Sequence, residues 1–269
     1  MANAAPIGVF VSGVGGLTVV REMIERMPGE SIVYFGDTAR VPYGSKTQPT
    51  ILRYTRQILR FLETKNVKAV VVACNTASAY ALETVEKELA IPIIGVVRPG
   101  SLMAANSTRS GRIGVIGTDA TVGSGIYEQT IRRIRPDAKV YSQSCPLFVP
   151  LVEEGLWDDP VTEEMAGRYL RSLTENKVDT LILGCTHYPL IKGVISRSVG
   201  EDVQLVNPAA ETAAQLAEML VSSGLTAPEG NRPAHEFYVS DAAEKMKRFA
   251  NSILPIDIRE TQVVNIEAY

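Results

Sequence analysis

Cysteine is scarce: Cys74, Cys145 and Cys185 are the only three in 269 residues. That is too few for a disulfide framework in a chain of this length and fits a reducing compartment, so a cysteine that matters here acts as a thiol. Positive charge is not in excess either, with 27 Lys and Arg against 30 Asp and Glu and a net charge of −3. The chain therefore has no electrostatic footprint for nucleic acid. No run approaches the roughly 18 apolar residues of a membrane span, and the opening residues MANAAPIGVF lack a charged segment ahead of a long apolar one. A soluble, cytoplasmic protein without a membrane contact is expected. Histidine is limited to His187 and His235. Cys185-Thr186-His187 brings two soft ligands together, but the CxxC-type spacing and four ligands of a structural zinc site are missing, so no metal is expected.

The chain has glycine, but not in the pattern that binds a nucleotide. Residues 7 to 19 read IGVFVSGVGGLTV: a buried strand, then a tight turn into a helix. Thr18 stands where the third glycine of GxGxxG belongs, and the Walker lysine is also missing. A small anion resting on backbone N–H groups fits this loop better than a dinucleotide does.

Short β-branched runs recur along the chain: IGVF, SIVYFG, AVVVAC, IPIIGVV, RIGVIG, TLILGC and VQLVN. They read as buried parallel strands. Between them lie helical periods, as at 50–65, where Ile51, Tyr54, Ile58, Phe61 and Leu62 share a face, and at 163–175 with Met165, Tyr169 and Leu173. Strands alternating with helices imply an α/β fold with parallel sheets.

The order of the pieces repeats. IGVFVSGVGG at 7–16 corresponds to IGVIGTDATV at 113–122, an offset of 106, and Cys74 in AVVVACNTASAY corresponds to Cys185 in TLILGCTHYPLI, an offset of 111. A third pair, IPIIGVVRPG at 91–100 and VQLVNPAAET at 203–212, keeps a strand followed by a proline turn. Two similar α/β lobes follow, with Pro99 and Pro208 near the crossings between them. A helix over 209–223 and the tail FYVSDAAEKMKRFA are expected to pack back on the first lobe.

Ligands of open α/β sheets bind beyond the carboxyl ends of the strands, where both Cys74 and Cys185 fall. A thiol at a helix N-terminus has its thiolate stabilised, which is expected to bring the pKa from about 8.5 toward neutrality. One such cysteine is ordinarily inert packing, as Cys145 in SQSCPLFVP is expected to be. Two on equivalent strand ends, facing each other across a cleft, can take a proton from one side of a stereocentre and return it from the other. His187, two residues beyond Cys185, is either a structural ring or a partner that orients the thiol. The loop GDTARVPYG at 36–44 and the tandem Glu153-Glu154 are open to a solvated reading.

GVFxSGVGGLTV, GDTARVPYG, ACNTAS, IGVIGTxATVxSGxY, CPLFVPLVEEG and GCTHYPL occur in this order. Together they resemble the glutamate racemases, within the cofactor-independent aspartate/glutamate racemase superfamily, from about residue 7 to 240. The resemblance implies two α/β lobes related by a pseudo-twofold axis, with the active site in the cleft between them. The first lobe would be discontinuous, 1–98 plus 208–269, and the second would span 99–207. Glutamate would be racemised without a cofactor, to supply D-glutamate for peptidoglycan, with Cys74 and Cys185 as the two bases. His187 and Glu153 would assist them. Val11, Ser12, Tyr43, Gly44, Asn75, Thr76, Thr118, Thr121 and Thr186 fall on substrate-contacting positions. The resemblance further implies a homodimer, and in some relatives a restraint on DNA gyrase, of which the mild acidity here gives no independent sign.

One departure concerns the chemistry directly. Val11-Ser12-Gly13 stands where the resemblance implies Asp-Ser-Gly, so the acid/base group expected beside Cys74 is replaced by an apolar side chain. Val97-Arg98-Pro99-Gly100 likewise replaces Ile-Glu-Pro-Gly. Two other readings therefore stay open: an amino-acid-binding or regulatory protein on a racemase scaffold, and a racemase acting on aspartate or another amino acid.

Overall fold

The β-branched runs become strands of two parallel sheets in the computed structural model, which describes residues 3–269. The strands are β1 (Ile7–Val11), β2 (Ile32–Gly36), β3 (Ala69–Val72), β4 (Ile93–Gly95), β5 (Arg112–Gly117), β6 (Lys139–Ser144), β7 (Thr180–Gly184), β8 (Gln204–Val206), β9 (Glu236–Val239) and β10 (Gln262–Val263). The first sheet runs β10-β9-β2-β1-β3-β4 and the second β6-β5-β7-β8, every neighbouring pair parallel. β1, β2, β3 and β7 are buried throughout, as strands covered on both faces must be, and this is why they are continuous in Val, Ile and Leu.

The order β2-β1-β3-β4 is repeated as β6-β5-β7-β8, and the register repeats with it. Ile7 pairs with Ala69 in the first lobe, and the corresponding Ile113 pairs with Thr180 in the second. Three strands lie outside the seven runs. β6 reads KVYSQS along an exposed sheet edge, and β9 and β10 lie in the tail, where β9 adds itself to β2.

Both expected proline turns are helix starts. IPIIGVV is strand only from Ile93 to Gly95, and Val97 already opens the helix Val97–Ser107, with Pro99 and Gly100 in its first turn. At the other crossing Asn207 accepts the N–H of Ala209 at 3.1 Å, and Pro208 takes the first position of the helix Pro208–Ser222. Proline is tolerated there because the first N–H groups of a helix have no intrahelical acceptor. These two helices diverge into different cores. Val97 and Ala104 pack with Ile113, Tyr127 and Ile182, whereas Ala209, Ala213, Leu216 and Leu220 join the core of β1 and β3. They touch at Gly100, where a Cβ would stand 2.9 Å from the Pro208 ring.

Phe61, on the helix Gln48–Glu63, ties the tail to the first sheet. Its ring centroid is 5.2 Å from Phe35 on β2, 5.1 Å from Tyr238 on β9 and 5.5 Å from Tyr269. Among the described residues no helix is long and apolar enough to cross a membrane. Phe61→Ala is expected to remove this junction at a cost of about 3–5 kcal/mol. The midpoint of urea unfolding measures it, and a loss below about 1 kcal/mol would show that the tail is not held through Phe61.

Candidate active site

A cavity of about 380 Å³ opens at the carboxyl ends of β1, β3, β5 and β7, where the two lobes meet. Ser12 and Gly13 after β1, the segment from Val41 to Ser45, and Cys74, Asn75 and Thr76 after β3 line it from the first lobe. Thr118 and Asp119 after β5, Pro146, Val149, Pro150 and Glu153, and Cys185, Thr186 and His187 after β7 line it from the second. All three cysteines are free thiols. Cys74 and Cys185 are buried in the walls of this one cavity, while Cys145, wholly buried, packs with Phe148 and Tyr188 in the second core.

The second-lobe thiol has a chain of charged partners. The Sγ of Cys185 lies 3.6 Å from Nδ1 of His187, and Nε2 of His187 lies 3.2 Å from Oε1 of Glu153. Lys245, from the helix Ala243–Ile253, adds an ion pair to Glu153 Oε2 at 3.6 Å. Burial opposes a charge on the His187 ring, but the hydrogen bonds to Cys185 and Glu153 outweigh it and hold the pKa up at about 9. The hydrogen bond from His187, against the opposing effect of burial and with help from Lys245, keeps Glu153 below the usual carboxylate range. A charged imidazole held between a carboxylate and a sulfur is the counter-charge a thiolate needs.

Cys74 has only neutral partners. It caps the helix Asn75–Tyr80, accepting the N–H of Ala77 at 3.5 Å, and its thiol lies 3.8 Å from the Ser12 hydroxyl. The expected lowering of its pKa is not found. Burial pushes the thiol up, and the N–H of Ala77 and the Ser12 hydroxyl only moderate that rise. A helix of six residues offers too little dipole to offset the desolvation of a sulfur.

Hydroxyl and amide groups complete the walls. Thr76 from the first lobe meets Thr118 at 3.1 Å and Thr121 at 3.3 Å from the second. Asn75 Oδ1 accepts the Tyr127 hydroxyl at 2.6 Å, again across the lobes, and leaves its amide N–H₂ without a protein partner. Two expected contacts lie elsewhere. Val11 is 1% exposed, faces the first-lobe core and does not line the cavity. Thr121, also 1% exposed, stands behind Thr76 and Thr118 as their hydrogen-bond partner. Tyr43 lines the cavity, but its hydroxyl is turned away, donating to the buried Asp37, which also accepts from Arg40 at 2.7 Å and Ser240 at 2.9 Å. Asp37 thereby fixes the whole loop GDTARVPYG, so that loop is not mere solvated connection.

The glycine turn serves contact between the lobes. A Cβ on Gly15 would stand 2.5 Å from Nδ1 of His187 and 2.7 Å from Oγ1 of Thr186, and one on Gly44 would stand 2.7 Å from Cβ of Thr118. Gly13 is the only glycine of that turn in the cavity wall. The sequence reading missed Asp37 and Tyr127 as site residues, although both lie inside the quoted motifs. For the first, the sequence offers only an aspartate within a glycine- and proline-bounded loop, and its burial is seen only in the fold.

The sequence pattern of the Asp/Glu/hydantoin racemase family matches residues 9–216. A glutamate racemase from Geobacter metallireducens is 49% identical over 262 residues, 97% of each chain. The crystal structure of a glutamate racemase isoform from Bacillus anthracis superposes with a TM-score of 0.93 at 39% identity, covering 97% of both chains. That of glutamate racemase from Francisella tularensis subsp. tularensis, in complex with D-glutamate, gives a TM-score of 0.93 at 38% identity and covers 99% of both.

The two histidines are expected to titrate on opposite sides of the ordinary value of 6.5. His187 is held up at about 9, and burial lowers His235. Imidazole-proton NMR over pH 5 to 10 separates them. A raised folded-state pKa means that the stability contributed by charged His187 is fully present below about pH 6.5 and is lost as pH rises through about 9. Unfolding free energies of wild type and His187→Asn should therefore converge above that pH. Two midpoints near 6.5 would contradict the assigned ion pair.

Proposed function

The chain belongs to the Asp/Glu/hydantoin racemase family, and from that premise we propose that it interconverts L- and D-glutamate by a two-base thiol mechanism. One observation carries the reading: two buried thiols, on equivalent strand ends of two topologically repeated lobes, line a single cavity. With the α-carbon between them, one thiolate forms an S–H bond as the Cα–H bond breaks. The opposite thiol then gives its proton to the other face of the carbanion, and its S–H bond breaks as the new Cα–H bond forms. No electron is gained or lost overall, and the enzyme is left with its charge on the other sulfur.

The α-proton beside a carboxylate is very weakly acidic, so the carbanion-like state needs fixed donors around the carboxylate. The unpartnered Asn75 amide, the Thr76 and Thr186 hydroxyls and the backbone N–H groups of the strand-end turns serve that purpose. Glu153, through His187, assists Cys185. The same reading makes the protein a cytoplasmic homodimer that supplies D-glutamate for peptidoglycan, with light scattering as the measure of the dimer.

Val11 shapes the Cys74 half of the cycle. The N–H of Ala73 donates to the carbonyl of Phe10 at 2.8 Å, so position 11 sits on the strand beside the turn that carries Cys74. Valine there closes the core and supplies no proton acceptor. The enantiomers are equal in free energy, so kcat/KM must be the same in both directions. Unequal thiols therefore show in kcat and KM separately, and in the primary isotope effect of α-deuterated substrate.

In deuterated water the protein is expected to exchange the α-proton of both glutamate enantiomers, far faster than that of aspartate. Cys74→Ser and Cys185→Ser should each lower turnover at least ~10²-fold, the scale of a lost acid/base group. Absence of exchange above background, with both thiols verified as reduced, would leave a binding protein, and calorimetry with D-glutamate would then register binding alone. Val11→Asp should raise kcat on the order of tenfold, below the ~10²-fold of full acid/base assistance because position 11 faces the core, and bring the two isotope effects closer together. If both directions were unchanged, Val11 would have no part in the Cys74 step.

A further inference from the structure

Thr18 occupies the position that breaks the nucleotide-binding glycine pattern, and it does not touch the cavity. It is nonetheless a fully buried polar side chain with a specific assignment. On the first turn of the helix Leu17–Arg26, its single hydroxyl proton is shared between the carbonyl of Gly15 at 2.9 Å and the carbonyl of Thr186 at 2.9 Å, 168 residues away in the other lobe. The second acceptor belongs to the peptide that joins Thr186 to His187. The ring of His187 in turn lies against Gly15, where any Cβ would stand 2.5 Å from Nδ1 and 2.6 Å from Cε1. The first lobe thus holds the Cys185-Thr186-His187 turn from two directions, by a hydrogen bond to its backbone and by a bare Cα behind the imidazole.

We infer that Thr18, with Gly15, is a positioning residue for the second-lobe base: it fixes the turn that sets the His187 ring 3.6 Å from the Cys185 sulfur. The inference rests on the two-base reading above. The hydrogen bonds of the Thr18 hydroxyl go to the Gly15 and Thr186 carbonyls and not to either thiol. Its loss leaves the Cys74 half intact and loosens the Cys185 half, because a buried carbonyl left without its donor shifts to find another. Proton transfer depends steeply on heavy-atom placement, and misplacement by ~1 Å can cost 10²-fold.

The test compares Thr18→Val, which keeps the shape and removes the donor, with Thr18→Ser, which keeps the donor. Thr18→Val should lower kcat/KM about tenfold, necessarily by the same factor in both directions. The primary isotope effect of α-deuterated glutamate should rise only in the direction in which Cys185 removes the α-hydrogen, because only there does the loosened base perform the isotope-sensitive step. Cys185→Ser, assayed alongside, identifies that enantiomer. Thr18→Ser should lie within about twofold of wild type. Gly15→Ala displaces the same ring by crowding rather than by a lost hydrogen bond, and it should give the same one-directional signature if Thr18→Val fails to fold. Isotope effects that stay unchanged, or rise equally in both directions, would overturn the inference, as would a serine variant no better than the valine one. A wild-type protein with no α-proton exchange would instead overturn the two-base reading itself, and the inference with it.

Discussion

The site exists because strand-end loops from two lobes approach each other with no side chain on the first-lobe side of the closest contacts. Gly15 against the His187 ring and Gly44 against Thr118 leave no room for even a Cβ, so at these two points first-lobe backbone packs directly on a second-lobe side chain. Hydrogen bonds then cross the seam at three places: Thr18 to the Thr186 carbonyl, Thr76 to Thr118 and Thr121, and Tyr127 to Asn75. Each of these partners neighbours a cavity-lining residue or is one, so the packing of lobe on lobe and the placement of the reactive groups are one event. The remainder of the molecule keeps these loops in register. The Asp37 cluster fixes one of them with help from Ser240 of the tail, and the tail is itself held by aromatic contacts to Phe61.

Parallel topology with strands buried on both faces is readable from the runs themselves, because such strands must be continuously apolar. The repeat was readable for the same reason: IGVF and IGVI, AVVV and TLIL pair in equivalent registers. A strand without that constraint carries no such signal: KVYSQS lies at a sheet edge, is nowhere fully buried and is mostly polar. Cys74, Cys185 and His187 were legible because chemistry limits which residue types can serve. Val11 and Thr121 were misplaced by one layer, since sequence adjacency to a lining residue does not say on which side of the loop a side chain falls. Nor could spacing reveal that Tyr43 turns its hydroxyl to Asp37, a contact fixed only when the loop folds.

Burial makes the two thiols unequal in a way their symmetric placement does not suggest. In a dry cavity an unbalanced charge is costly, so a thiolate needs either a counter-charge or several donors. Cys185 has an imidazolium ring, itself stabilised by Glu153, which Lys245 supports in turn. Cys74 has one backbone N–H and one hydroxyl. Duplication of the fold supplied equivalent positions for the sulfurs, and divergence of the surrounding residues supplied different electrostatics.

This inequality bears on the whole cycle. In the proposed two-base cycle, racemisation moves one negative charge from one sulfur to the other at each turnover, so the free enzyme would alternate between a form charged at Cys185 and a form charged at Cys74. With His187 on one side only, a counter-charge stands beside Cys185 and none beside Cys74. In that cycle, turnover in one direction would start with the charge beside His187, and turnover in the other with the charge on Cys74, which has only neutral partners. The equal free energies of the two enantiomers forbid a net bias in kcat/KM, and the asymmetry must therefore appear in how each direction divides between binding and chemistry. What the residues around the sulfurs can still adjust is the energy gap between these two protonation forms, and the clearest difference between the two sides is the chain His187–Glu153–Lys245 beside Cys185.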